Sequence, residues 1–228
     1  MLAYFKLNSF NIVLGLIAIK YSIQYYFTFP TRKQKILAKE KPYVHSLFIW
    51  INALVIFAIF IINYNSVNNQ LLGLVTLLIG LVIGSWGIIN LNDNYHENLV
   101  IYENFTLIKT GIFSVVRHPI RLGICLETLA LVIFINSIYV IPLLLLFYYL
   151  NYKRTFTEEQ FLIKIFKDEA KLYCQKVPQF NIVKGMIIKG LLGCPTNRSA
   201  FIWIGKSLLS LVQSIVERLG ARTDNNGT

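Results

Sequence analysis

LGICLETLALVIFINSIYVIPLLLLFYYL, residues 122–150, is the stretch whose reading decides how this chain folds. As one helix its 29 residues would rise about 1.5 Å each and overshoot a hydrocarbon core about 30 Å thick. Asn136 and Ser137 interrupt the run near its middle. The stretch therefore reads as two short helices in a tight hairpin. A hairpin returns the chain to the side it left, so the segments that flank it must meet. Before it stands Gly111–Gly123, GIFSVVRHPIRLG; after it stands Arg154-Thr155-Phe156-Thr157-Glu158-Glu159. A single long span would place these two segments on opposite sides.

Both flanks carry chemistry. Pro119 suits the first position of a helix, because its ring presets φ and its missing N–H would go unbonded there. Arg117 and His118 then sit at a helix N-terminus, where backbone N–H groups and the dipole favour an anion. On its own this is also what a membrane helix with a basic flank looks like. Arg154 and Glu158 are four apart and share a helix face, which on its own reads as a solvated ion pair. The hairpin brings the two clusters together, which argues against coincidence.

The rest of the chain fits a membrane protein. It is 55% hydrophobic and 14% charged, with mean hydropathy +0.56, too apolar for an ordinary soluble domain. Apolar runs at 11–29, 44–64 and 71–91 precede the hairpin, and Lys20 interrupts the first. The expectation is an all-α, multi-pass fold with about five membrane helices. Gly73, Gly80, Gly84 and Gly87 fall on one side of the third run, and small residues so spaced let helices approach closely. Residues 100–108 alternate loosely and are compatible with an extended segment. Residues 151–179 read as a polar helix with Phe161, Ile165, Tyr173 and Val177 on one face and Lys164, Lys167, Lys171 and Lys176 wet; Pro178 closes it. Residues 201–219 form an amphipathic pattern suited to a membrane interface. The divisions expected are a membrane domain at 1–180, with its chemistry at about 98–180, and a C-terminal extension at 181–228. The N-terminal apolar stretch lacks an A-x-A-like cleavage site and reads as a retained anchor.

A net charge of +11 raises the question of nucleic acid. The charge, however, flanks the apolar runs. Residues 31–41, 92–121 and those after 151 hold nearly all the Lys and Arg, whereas 65–70 and 136–137 hold none. By the positive-inside rule the first set is cytoplasmic, which puts the composite site on that face. Cys125, Cys174 and Cys194 have no metal-ligand spacing and read as reduced thiols, so neither a metal nor a nucleic-acid partner is expected. His45 and His96 read as interfacial. Glu127, about one turn into the helix that follows Gly123, is costly in lipid; it reads either as functional or as snorkelling to the nearby surface.

The ordered set of motifs resembles the isoprenylcysteine carboxyl methyltransferases and the related phospholipid methyltransferases. Their pattern runs L-V-x-x-G-x-Y-x-x-x-R-H-P-x-Y-x-G, then a helical hairpin, R-x-x-x-E-E, and a V-P-R end. Here Leu107-Ile108-Lys109-Thr110-Gly111-Ile112-Phe113 leads to Arg117-His118-Pro119-Ile120-Arg121-Leu122-Gly123; Arg154, Glu158-Glu159 and Val177-Pro178-Gln179 follow. The chain departs from the pattern at Arg121 and Phe113, both in place of Tyr, and at Gln179 in place of Arg. The resemblance covers about 98–180. It implies that Thr106, Leu107, Ile108, Phe113, Arg117, His118, Pro119, Ile120 and Arg121, with Glu158 and Glu159, line a pocket for S-adenosyl-L-methionine. Glu158 would hold the cofactor and Arg154 would face the acceptor, giving these two the catalytic part.

The function that follows is methyl transfer from S-adenosylmethionine to a lipidic or prenylated acceptor in the bilayer, with carboxyl O-methylation first and phospholipid N-methylation as the alternative. Methyl transfer needs alignment and exclusion of water rather than a nucleophilic side chain or a metal. Two rivals of another class remain: an NADPH-dependent reductase of the sterol-reductase type, which shares an RHP segment, and a non-catalytic membrane protein of the same fold.

Overall fold

The computed structural model describes residues 2–31, 36–39, 44–63, 70–95, 100–102 and 106–191. Six helices dominate: α1 (Leu2–Thr31), α2 (Val44–Asn63), α3 (Gln70–Leu91), α4 (Pro119–Ile135), α5 (Ile141–Lys176) and α6 (Ile182–Leu191). Among the described residues the strands form a small antiparallel ribbon, β1 (Ile36–Lys39) with β2 (Val100–Tyr102). The ribbon realises part of the extended segment expected over 100–108. It also ties the connection after α1 to the connection after α3, so these two basic segments lie at the same end of the bundle.

The hairpin is present. Pro119 opens α4, and Asn136, in the left-handed conformation at φ 50, closes it. A short turn through Ile138–Val140 leads into α5, and the Tyr148 hydroxyl donates to the Cys125 carbonyl oxygen across the pair at 3.1 Å. The second helix, however, does not stop at Leu150. It continues through Arg154 and Glu158 to Lys176, so the hairpin's return helix and the expected polar helix are one element. No Gly or Pro lies between Leu143 and Lys176 to end it. It bends at Lys167, whose φ 47 and ψ −120 are non-helical. The expected faces hold on both sides of the bend. Phe161 and Tyr173 are buried, and Lys164, Lys167, Lys171 and Lys176 are exposed.

The glycines of α3 explain how α4 is positioned. All four face α4. Gly73 lies under the Phe134 ring, Gly80 and Gly84 meet Gly123, and Gly87 meets Pro119 and Ile120. A Cβ on Gly123 would stand 2.7 Å from the Gly80 oxygen and from the Gly84 backbone. The two backbones therefore touch, and the first turn of α4 rests on a rigid surface. Phe60, Leu77, Phe134 and Leu144 build the main apolar core between the helices.

Outside that core the helices expose Leu47, Leu54 and Ile62 on α2, Leu71, Leu78 and Val82 on α3, and Leu145 and Leu146 on α5. An apolar surface this extensive favours lipid over water. Leu71–Leu91 is long and apolar enough to cross a membrane, and Leu47–Asn63 is a shorter apolar helix. Residues 65–69 of the expected 65–70 turn, His96, Cys194, the 201–219 amphipathic pattern and most of the 181–228 extension lie outside the described residues, as does the His45 side chain. The described start of that extension, α6, packs Gly185 against the Val115 carbonyl, beside the RHP segment.

Candidate functional site

The segment before α4 is held from three directions. Gly111 has φ +61, a conformation glycine tolerates, and any Cβ there would collide with Asn90 Oδ1. That same oxygen accepts the Ile112 N–H at 2.9 Å, joining the segment to α3. From α5, the Tyr173 hydroxyl donates to the Phe113 carbonyl at 2.7 Å. From the loop after α5, the carbonyls of Pro178 and Gln179 accept the N–H groups of Arg117 (3.0 Å) and His118 (3.3 Å). The Gln179 amide also donates to Thr155 Oγ1 at 2.9 Å, so the residue standing in place of Arg ties the loop to α5. This gives the V-P end of the pattern a physical reason: its backbone pairs with RHP.

On this frame the two clusters meet. Glu158 Oε1 accepts from Arg121 Nη2 at 2.8 Å and from Arg154 Nε at 3.2 Å. Its Oε2 lies 3.5 Å from His118 Nδ1. Glu159 Oε1 is 2.9 Å from His118 Nε2, and its Oε2 is 3.2 Å from Arg117 Nη1. Each nitrogen of His118 thus faces a carboxylate, and only the doubly protonated ring can donate to both. Burial alone would lower the His118 pKa; the hydrogen bonds and charges of Glu158 and Glu159 outweigh it and raise it. For Glu158, burial would raise the pKa, but the Arg121 charge, the His118 hydrogen bond and the Arg154 charge hold it well below the ordinary carboxylate range.

The cluster borders a cavity of about 570 Å³, within the usual range for small-molecule sites. Leu107, Ile108, Phe113, Arg117, His118, Pro119, Ile120, Arg121, Arg154 and Glu158 line it. Of the expected site residues, Thr106 and Glu159 stand outside the wall. Thr106 is exposed, with Asn94 Nδ2 donating to its hydroxyl at 3.4 Å, and Glu159 lies behind His118. The rest of the wall is mostly apolar: Ile17 from α1, Trp50 and Phe57 from α2, Leu77 from α3, Ile124 and Leu131 from α4, and Phe147 from α5.

Two wall residues had been read apart in the sequence. Lys20, the interruption in the first apolar run, lies 2.6 Å from Glu127, with the two side chains 2% and 13% exposed. Glu127 is therefore partnered across the bundle rather than snorkelling. The signal was there: two opposite charges, each costly in lipid, in two different apolar runs. Tyr21, Gln24 and Trp50 carried no such signal and reach the cavity only through the packing of α1 and α2.

Fold and site together define a membrane-associated helical protein with a charged centre in the wall of a mostly apolar cavity. Residues 68–169, which span α3, the RHP segment, the hairpin and the Arg154–Glu159 cluster, match the phospholipid methyltransferase family model. That family is grouped with the isoprenylcysteine carboxyl methyltransferases among the membrane methyltransferases, and the likeness covers 102 of the chain's 228 residues. No curated protein matches the chain. The family match favours a methyltransferase over the reductase expected as its rival.

Proposed function

We propose that this protein is a multi-pass membrane methyltransferase that uses S-adenosylmethionine from the cytoplasmic side and methylates a lipidic acid. The observation that carries the reading is the placement of Arg121, Arg154 and Glu158 together in the wall of a cavity that is otherwise mostly apolar. An amphiphile fits such a cavity with its chain among the apolar side chains and its head at the charges.

The residues fit the cofactor. Arg117 Nε is buried with no hydrogen-bond partner among the described residues, a donor that a cofactor carboxylate would satisfy. When bound, S-adenosylmethionine would supply an activated methyl group, on a sulfonium, for transfer to a carboxylate oxygen of the acceptor. Arg154 orients the acceptor: a buried carboxylate needs a compensating charge, and a guanidinium can hold one oxygen while leaving the other to react. Three guanidiniums and the His118 imidazolium face two carboxylates here, so the centre carries surplus positive charge that an acid reduces and a protonated amine does not.

Phospholipid N-methylation is the second reading, and the description of the matched family favours it. A transfer assay offering a prenylcysteine analogue and phosphatidylethanolamine side by side separates the two. Carboxyl methylation is expected, with Arg154→Ala impairing transfer while calorimetry still detects S-adenosylmethionine binding, and Arg154→Lys recovering part of the rate. Methylation of the amine lipid alone, or full activity in Arg154→Ala, overturns the acid reading. Binding of NADPH in place of S-adenosylmethionine overturns methyl transfer itself.

A further inference from the structure

Arg121 stands where the family pattern has Tyr, and its guanidinium is turned into the charged centre. It lies in the first turn of α4 and lines the cavity, 16% exposed. Arg154 reaches the same point from α5, 9% exposed. Both donate to a single oxygen, Glu158 Oε1, at 2.8 and 3.2 Å. The two donor nitrogens therefore cannot be farther apart than the sum of those distances. A guanidinium presents five N–H donors in a planar fork suited to two parallel bonds with an oxyanion. A carboxylate oxygen shared by two guanidiniums brings two like charges close together in a low-dielectric site.

We propose that Arg121 and Arg154 form a two-guanidinium clamp for the carboxylate head of the acceptor, and that Arg121 is the residue that sets this chain's preference for an anionic lipid. The proposal rests on the methyltransferase reading for its purpose, but not for its binding chemistry. An incoming carboxylate bridges the two forks, relieves their repulsion and adds the negative charge that the centre lacks. Its chain then runs past Ile124 and Leu131, which line the cavity farther along α4 from Arg121. The neighbouring groups on every side are consistent with this. Arg117 and His118 on the same segment are engaged by Glu159, and Glu158 on α5 is the only carboxylate that touches Arg121 among the described residues.

The test measures binding to the purified full chain in lipid nanodiscs of two labelled probes of equal length, palmitate and hexadecanol, with S-adenosylmethionine binding followed separately by calorimetry. Two variants are used: Arg121→Tyr, which installs the residue of the family pattern, and Arg121→Lys, which keeps the charge and loses the fork. Loss of a charge-assisted hydrogen bond corresponds to about tenfold to a hundredfold in affinity. Arg121→Tyr should weaken palmitate by that factor and leave hexadecanol unchanged; Arg121→Lys should fall between Arg121→Tyr and the parent. Unchanged hexadecanol binding shows that the cavity has kept its shape. The clamp is overturned if palmitate binds Arg121→Tyr as tightly as the parent, if both probes weaken equally, or if only S-adenosylmethionine is affected, which would make Arg121 a support for Glu158. A parent that binds palmitate through Arg121 but never binds S-adenosylmethionine would refute the methyltransferase reading and leave the clamp standing.

Discussion

Lys20 and Glu127 form an ion pair 2.6 Å long across α1 and α4, nearly out of contact with solvent. Breaking it from either side should be severe. Lys20→Met leaves the Glu127 carboxylate buried beside apolar side chains, one of whose oxygens, Oε1, already has no partner among the described residues. Glu127→Leu leaves the Lys20 ammonium with the same problem. Removing one member of a buried pair costs about 3–5 kcal/mol, two to nearly four orders of magnitude in the folding equilibrium. Removing both replaces two desolvated charges with packed apolar groups, which is often neutral or stabilising. Lys20→Met/Glu127→Leu should therefore recover most of what either single variant loses, giving a large coupling energy in a double-mutant cycle. Denaturant unfolding in mixed micelles, followed by circular dichroism, reads all four proteins. Additive losses in the double variant, or single variants as stable as the parent, would show that the two charges do not meet and that α1 is not docked on α4 in this register.

Gly123→Leu should lower the unfolding midpoint and weaken S-adenosylmethionine binding together, because any side chain there forces α3 and α4 apart beneath the RHP turn; overpacking costs about 1–3 kcal/mol. Gly15→Ala, on α1 with nothing within 4 Å of the added carbon, is the matched control and should not destabilise. Glu158→Gln should weaken S-adenosylmethionine binding by about tenfold to a hundredfold if Glu158 contributes a charge-assisted bond to it, and calorimetry on folded variant would read this directly. The pH profile of stability gives an independent check. Glu158 has a folded-state pKa below its unfolded value, so it stabilises above the ordinary glutamate range and loses that contribution as pH falls towards the depressed value. His118, with its pKa raised, stabilises below the ordinary histidine range and loses that contribution as pH rises through the raised value. Unfolding midpoints across pH should therefore fall on both sides of a plateau, with Glu158→Gln flattening the acid limb and His118→Gln the alkaline one; unaltered limbs would refute the coupling.

Features legible in the sequence were those with one local cause. Asn136 and Ser137 in an apolar run too long for one span marked the hairpin. Pro119 marked the start of α4, and the spacing of Gly73, Gly80, Gly84 and Gly87 marked the face that α3 presents to it. The order of RHP and Arg154–Glu159 around the hairpin placed most of the cavity's charged wall. The end of the hairpin's return helix was not legible, because the change from apolar to polar composition near residue 150 is not a boundary. Composition reports what surrounds a helix, whereas its end requires a residue that stops it, and none occurs before the closing Val177-Pro178.

The remaining features depend on pairings across the fold that a linear reading does not contain. Arg121 appeared only as a departure from a pattern, and its meaning came from finding Glu158 and Arg154 at its guanidinium. Gln179 was another departure, and it proves to be a fastening between the closing loop and Thr155 rather than a lost charge. Lys20 and Glu127 each looked like a defect in an apolar run. Two such defects of opposite sign are better read as a single contact, because each alone costs several kcal/mol in a nonpolar surrounding and the pair offsets most of that cost. The same reasoning extends to the charged centre. Arg117, Arg121 and Arg154 sit together only because Glu158 and Glu159 hold them there. An assembly of that kind, with more positive than negative charge beside a mostly apolar cavity, is suited to receive an acid whose chain stays in the bilayer.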